Sequence, residues 1–191
     1  MKIIDDVVPE VIQDYLENLA TKDSTFPWTF LDDVTFLDSS PDKVRSVYGF
    51  AHTSIDRGSV DPRSSVALLT HVPVLMMCEK FGLNVKQLTR QRWGMYLPTP
   101  DKTEHHNVHI DDPDNNHVVL LYYVNDSDGD TFFFDENKKI VDRITPKKGR
   151  AVVFPGKTFH ASSSPTEHVR VAMNLNFHGH NRDIYTSAVS L

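Results

Sequence analysis

Residues 117–135 read His117-Val118-Val119-Leu120-Leu121-Tyr122-Tyr123-Val124-Asn125, then Asp126-Ser127-Asp128-Gly129-Asp130, then Thr131-Phe132-Phe133-Phe134-Asp135. Two runs rich in β-branched and aromatic residues flank five small or acidic ones, which is the pattern of two strands and a turn. The same texture extends both ways. Strands are expected over 86–97, 106–111, 117–125, 131–135, 138–144, 150–154, 158–163 and 168–177. Turn signals part them, among them Pro98-Thr99-Pro100, Asp112-Pro113-Asp114-Asn115-Asn116, Pro146-Lys147-Lys148-Gly149, Pro155-Gly156 and Ser164-Pro165. Short strands at this spacing predict an all-β sandwich or barrel. The N-terminal third differs. Ile12, Tyr15, Leu16 and Leu19 follow Pro9 at helical spacing and predict a helix over 9–20. Phe26 to Phe36 is expected to enter a strand, and 53–65 to form a loop. A second helical zone covers 65–81, kinked or restarted at Pro73 and stopped at Gly82. Two helices ahead of a strand block are expected to cover one sheet face.

The 191 residues are 39% hydrophobic and 24% charged, enough for a buried core. One domain is expected over 1–191: a helix-rich supporting segment (1–85), a strand core (86–180) and a C-terminal tail (181–191). The formal charge of -6 argues against a general duplex-DNA binder. Cys78 is the single cysteine, so neither an intrachain disulfide nor a Cys-rich zinc module can form. The longest apolar run, Val72 to Cys78, contains Pro73 and is too short for a membrane span. With no signal-peptide pattern after Met1, a soluble cytoplasmic protein is expected, of a size that suits a bacterial or viral source.

The chemistry is sought among ten histidines. In His109-Ile110-Asp111, an imidazole and a carboxylate at i and i+2 of a strand share one face. His160, in a late strand–turn–strand context, would supply a third ligand. Two histidines and one carboxylate bound facially leave open positions, the ligand set of a non-haem Fe(II) oxygenase. The plain alternative is a turn aspartate beside a surface histidine. In the last strand Arg170, Ala172 and Asn174 share one face and Val169, Val171, Met173 and Leu175 the other. If the apolar set packs against the helices, Arg170 faces the barrel interior, where a guanidinium needs an anion. A dicarboxylic cosubstrate could chelate iron at one end and pair with Arg170 at the other. An exposed strand arginine is the alternative.

Together, His109-x-Asp111, His160 and Arg170 resemble the signature of the Fe(II)/2-oxoglutarate-dependent dioxygenases. Leu120–Asn125 with Asp128–Phe133, and Lys148–Pro155, are similar to the corresponding segments of the prolyl-4-hydroxylase-like branch. The resemblance covers about 86–180. It implies a mainly β fold with N-terminal helices around a double-stranded β-helix (jelly-roll, cupin-like) core. It implies His109, Asp111 and His160 as ligands of Fe(II), and Arg170 as the partner of the distal carboxylate of 2-oxoglutarate. Tyr123 would assist that carboxylate, with Tyr96 and Asn174 as further candidates for the cosubstrate or substrate wall. The branch often has a second glycine where Asp128 stands, a departure that touches turn geometry, and some members use lysine where Arg170 stands. The cofactors implied are Fe(II), 2-oxoglutarate and O2, with ascorbate as a candidate reductant. The implied reaction hydroxylates an unactivated C–H bond and yields succinate and CO2. A peptidyl proline is the first substrate class. A free amino acid, small metabolite or nucleobase, and a non-catalytic jelly-roll binding module, are the alternatives. Residues 98–108 and 53–65 are lid candidates.

Other signals carry less. His105 and His106 are expected at the rim, His178-Gly179-His180 in a mobile tail without a paired carboxylate, and His52, His71, His117 and His168 as ordinary residues. Asp126-x-Asp128-x-Asp130 lacks the glycine and glutamate of a calcium loop. Cys78 is expected as a packed thiol. Lys138, Lys139, Arg143, Lys147, Lys148 and Arg150 form a basic stretch whose default is a solvated surface, and Arg90 and Arg92 share the Tyr96 face, where they could line a substrate groove.

Overall fold

The computed structural model describes residues 1–34, 47–100 and 104–179. The elements are β1 (Lys2–Ile4), α1 (Glu10–Thr21), β2 (Thr29–Leu31), β3 (Gly49–Asp56), β4 (Ser59–Val60), α2 (Val66–Leu69), α3 (His71–Phe81), β5 (Leu88–Tyr96), β6 (Val118–Tyr123), β7 (Thr131–Phe134), β8 (Ile140–Ile144), β9 (Ala151–Pro155), β10 (His160–Ser162) and β11 (Arg170–Phe177). A large antiparallel sheet runs β1-β9-β6-β11-β5-β3-β2, with β4 on β3, and a small one runs β10-β7-β8. This is the mainly β, jelly-roll arrangement expected.

The alternation read in the last strand sets the layers. Val171, Met173 and Leu175 of β11, with Trp93, Leu120 and Tyr122, pack against Leu16 and Leu19 of α1 and Val74, Met77 and Phe81 of α3. The opposite faces of β6, β9 and β11, through Val119, Leu121, Val152, Phe154 and Ala172, meet Phe133 and Ile144 from the small sheet. Burying a large apolar side chain contributes roughly 1.5–3 kcal/mol, so the helices hold the large sheet in place and leave its inner face to the site. The helical zone is two helices, broken at Thr70. Pro73 is the third residue of α3, where a missing N–H breaks no helical bond, so it permits a restart. Gly82 ends α3 at φ 68, the left-handed conformation that glycine adopts without Cβ strain.

Three expectations are corrected. Residues 53–65 are not all loop, because β3 continues to Asp56 and turns through Arg57-Gly58 into β4. The polar composition of β3 concealed a strand whose buried polar groups are bonded: His52 Nε2 lies 2.7 Å from Ser64 Oγ, and Ser54 Oγ donates to the Gln91 carbonyl at 3.4 Å. Residues 106–111 form no full strand; one antiparallel bridge, His109 to His160, attaches them to the small sheet. The basic stretch is largely paired. Lys148 contacts Asp14 and Glu17, each at 2.6 Å, and Arg150 contacts Asp5 at 2.6 Å. Cys78 is buried, and burial pushes its thiol up to about 12, as a packed thiol requires. Among the described residues no helix is long and apolar enough to cross a membrane.

Candidate active site

The bridge between His109 and His160 is a reciprocal pair of backbone bonds: His109 N–H to the His160 carbonyl at 3.0 Å, and the reverse at 2.9 Å. It brings residues 51 positions apart side by side, with ring centroids 4.4 Å apart. Asp111 is fixed from the same stretch, its N–H donating to the Gly156 carbonyl at 2.9 Å. His109 Nε2 then lies 3.8 Å, and His160 Nε2 3.9 Å, from Asp111 Oδ1. The structure therefore brings all three expected ligands together, with one donor atom each mutually within 4.8 Å.

The remaining polar atoms of the three side chains are engaged elsewhere. His109 Nδ1 faces the Asn107 carbonyl at 3.1 Å and His160 Nδ1 the Thr158 carbonyl at 2.9 Å. A carbonyl accepts only from N–H, so both Nδ1 atoms carry a proton, which leaves Nε2 as the nitrogen free to ligate on each ring. Burial, then proximity to His109, lowers His160 to about 4, so its ring is neutral at physiological pH. Burial alone would raise Asp111. The two histidines and two amide hydrogen bonds outweigh it and hold the carboxyl below its usual range. Those amides are Asn174 Nδ2 and Asn176 Nδ2, donating to Asp111 Oδ2 at 3.2 and 3.1 Å, which leaves Oδ1 to the cluster. Two imidazole nitrogens and one carboxylate oxygen fit a divalent first-row metal, since donors 3.8 Å apart can both lie about 2.1 Å from one ion.

Arg170 faces the same cavity, which encloses about 220 Å³. It is 3% exposed. Its Nε donates to the Gly129 carbonyl at 2.8 Å and its Nη2 to Thr131 Oγ1 at 3.0 Å. The guanidinium also lies 5.3 Å from the Tyr96 ring and 5.6 Å from the Tyr123 ring. Among the described residues no carboxylate lies within ion-pair distance of it. Tyr123 Oη donates to Thr131 Oγ1 at 2.8 Å, and its burial raises its pKa, so it keeps that proton. Gly129 is required by close approach: a Cβ there would lie 2.8 Å from the Ser163 carbonyl oxygen and 3.0 Å from Arg170 Cδ.

Tyr96 and Tyr123, the candidates for the cosubstrate's surroundings, both lie beside Arg170. Asn174 lines the cavity but its amide holds Asp111. Asn176, Thr131 and Gly129 were missed. Extending the alternation of β11 by one step reaches Asn176, whereas nothing in the sequence marks Thr131. Replacing both Asn174 and Asn176 by Ala is expected to weaken metal affinity about 10–100-fold, the usual effect of losing ligand-orienting partners, while Asp111 remains. A metal titration checks this, and unchanged affinity would refute the orienting role.

His106 is not a rim residue. It is 4% exposed, its ring packs on Tyr96 at 5.1 Å, and its nitrogens meet Ser162 Oγ and Ser164 Oγ at 3.2 and 3.0 Å. Burial, then Arg170, lowers it to about 3. The unfolded chain takes up this proton near pH 6.5 and the folded one near 3, so stability present above 6.5 is lost as pH falls between those values. The fall is expected to be shallower in a His106→Gln variant; denaturant melts at pH 7, 5.5 and 4 measure it, and parallel curves would refute it.

His117 and His178 were also misread. His117 Nδ1 lies 2.9 Å from His178 Nε2 and 3.5 Å from Asp112 Oδ2, and Asp114 Oδ2 lies 3.8 Å from His178 Nδ1. His117 Nε2 is buried without a partner. A bare lone pair there costs less than an unmet N–H, so the Nδ1 proton is donated into the cluster. The group braces the turn that follows Asp111. His180 lies outside the described residues.

Residues 95–178 match the family model described as 2OG-Fe(II) oxygenase superfamily. No curated protein matches in sequence. Among solved structures, a 2OG-Fe(II) oxygenase family oxidoreductase from Burkholderia pseudomallei superposes with TM-score 0.66 at 12% identity, covering 94% of this chain and 85% of that one. A prolyl hydroxylase from Trichoplax adhaerens, in complex with a hypoxia inducible factor oxygen degradation domain peptide fragment, gives 0.58 at 16% identity, covering 99% and 87%. A Pseudomonas putida prolyl-4-hydroxylase gives 0.57 at 13%, covering 93% and 92%. The resemblance read from the sequence stands, and the fold is that of prolyl-4-hydroxylase-like 2OG-Fe(II) oxygenases.

Proposed function

We propose, from the premise that residues 95–178 belong to the 2OG-Fe(II) oxygenase superfamily, that the chain is a single-domain dioxygenase hydroxylating an unactivated C–H bond. The carrying observation is one cavity with three unengaged donor atoms at His109, Asp111 and His160 and a buried, carboxylate-free guanidinium at Arg170. His109 Nε2, His160 Nε2 and Asp111 Oδ1 would hold Fe(II). Bound there with 2-oxoglutarate, iron supplies O2 activation coupled to oxidative decarboxylation, with succinate and CO2 as co-products.

The chain's own residues orient and exclude. The Asn107 and Thr158 carbonyls keep both imidazoles in the ligating tautomer. Asn174 and Asn176 steer one carboxylate oxygen of Asp111 and leave the other free. Arg170 would grip the distal carboxylate of the cosubstrate through two parallel hydrogen bonds. Tyr96 and Tyr123 flank that guanidinium, with His106 packed on Tyr96, and would limit the access of water to it. Ascorbate would serve as a reductant. A peptidyl proline is the substrate class favoured by the kinship of fold with prolyl hydroxylases, one of them peptide-bound. A cytoplasmic location accompanies this reading.

Anaerobic titration with Fe(II) and then 2-oxoglutarate tests it. A visible metal-to-ligand charge-transfer band at one equivalent of each is expected, followed by succinate formation on admitting O2. No band in folded protein would overturn the proposal.

A further inference from the structure

Alternation along β5 puts Arg90, Arg92, Gly94 and Tyr96 on the face that lines the cavity. The register with β11 orders them: Tyr96 is opposite Arg170, Gly94 opposite Ala172, Arg92 opposite Asn174 and Arg90 opposite Asn176. Since Asn174 and Asn176 hold Asp111, the cavity floor has the Arg170 cation at one end. Arg92 and Arg90 lie toward the other, opposite the two asparagines that hold Asp111. Gly94 leaves the middle open, with no atom within 4 Å of where a Cβ would stand.

These two arginines lack the partners that buried or half-buried cations normally have. Among the described residues no hydrogen bond or ion pair is made by either guanidinium, and neither Asp111 nor Asp56, the carboxylates acting on Arg90 at longer range, reaches ion-pair distance. Burial first and the neighbouring Arg92 second lower the pKa of Arg90, so the pair costs free energy as it stands. The chain as a whole carries -6, so two unpaired cations in one cavity run against the general charge. Arg90 also borders a second groove formed with Thr53, Asp56 and Asp61 beside the β3–β4 hairpin, so it lines both spaces.

We propose that Arg90 and Arg92 form an anion-binding subsite that selects a substrate carrying a carboxylate or phosphate near the reacting C–H bond, which in a peptide would be an acidic or phosphorylated side chain beside the proline. The inference rests on the oxygenase reading. There the cosubstrate fills the space between Arg170 and the metal, and the substrate is left the Arg92 side.

The test uses the full chain with Mn(II) in place of iron, saturating 2-oxoglutarate, and two probes: inorganic phosphate by 31P relaxation and acetate by 13C relaxation. An anion seated on the arginines lies close to the paramagnetic ion. Enhanced relaxation is expected for at least one probe, and the probe that responds identifies phosphate or carboxylate as the group recognised. In Arg90→Gln/Arg92→Gln the anion affinity should fall at least about tenfold, with Mn(II) occupancy by electron paramagnetic resonance unchanged. Arg92→Gln alone should give a smaller loss and carries the test if the double variant does not fold. Enhancement that survives in the variants would place the anion on the metal alone and overturn the subsite. So would its absence from the parent with Mn(II) and 2-oxoglutarate bound. Lost Mn(II) binding in the double variant would make the arginines structural supports of Asp111 and overturn it too. A parent that takes up no Mn(II) would sink the oxygenase reading itself, and that is seen before any anion is added.

Discussion

Asp111→Ala is expected to abolish iron-dependent turnover and to weaken divalent-metal affinity by well over the about 10–100-fold that loss of an orienting partner produces. The reason lies in how the three donors are held. His109 and His160 are locked to each other by the backbone bridge, and their tautomers are set by carbonyls of their own segments. Both imidazoles should therefore survive the substitution in place, and what disappears is the one anionic donor of the three. Two imidazole nitrogens on adjacent segments of the chain cannot offset the dehydration of a divalent ion as they do with a carboxylate between them. Asp111→Asn separates charge from shape. The amide keeps the volume, and one face can still meet Asn174 or Asn176, but the negative charge is gone. It should lose metal nearly as fully as the alanine variant. Metal content after dialysis, and the charge-transfer band with 2-oxoglutarate, measure both. A variant that keeps one equivalent of iron and parental succinate formation would remove Asp111 from the ligand set.

How much of this was readable beforehand follows from where each signal resides. The strand block was legible because hydrophobic alternation and turn residues are local: β6, β7, β9 and β11 fall within two residues of their expected bounds. β11 declared both of its faces, and hence the direction of Arg170, because a period of two leaves no freedom once one face is apolar. β3 was not legible, since Thr53, Ser54 and Asp56 read as loop until their neighbours across the sheet are known. The site divides the same way. His109, Asp111 and His160 are marked by residue type, and the resemblance gathered them. Thr131 is an ordinary threonine that matters because two donors, on Tyr123 and Arg170, converge on its hydroxyl. His106 looked peripheral because its burial comes from Tyr96 and the Ser162–Ser164 segment, which are distant in sequence. The cluster of Asp112, His117 and His178 is equally non-local: it exists because β11 ends beside the start of β6, with Phe177 opposite Val118.

Arg170 separates binding from folding, and this gives the second large effect. In Arg170→Ala the 2-oxoglutarate requirement should rise severely. Losing a buried charged pair costs roughly 2–5 kcal/mol, which is about 30-fold to several thousand-fold in the dissociation constant. Arg170→Lys keeps the charge but loses the planar fork and the contact with Gly129 and Thr131 as a pair, so it should fall between parent and alanine. Stability without cosubstrate should move differently. The guanidinium is then a buried cation facing only neutral oxygens and aromatic rings, and replacing such a charge with an apolar side chain of similar length is often neutral or stabilising. Arg170→Met should therefore melt at or above the parental temperature when 2-oxoglutarate is absent. Adding 2-oxoglutarate with metal should raise the melting temperature of the parent but hardly that of the variant, because ligand stabilisation scales with the ratio of concentration to dissociation constant. If both proteins gain equally, or the variant requires no more 2-oxoglutarate than the parent, the distal carboxylate is held elsewhere. A variant that unfolds outright would instead mean that Arg170 supports the Gly129–Thr131 turn more than it awaits a ligand.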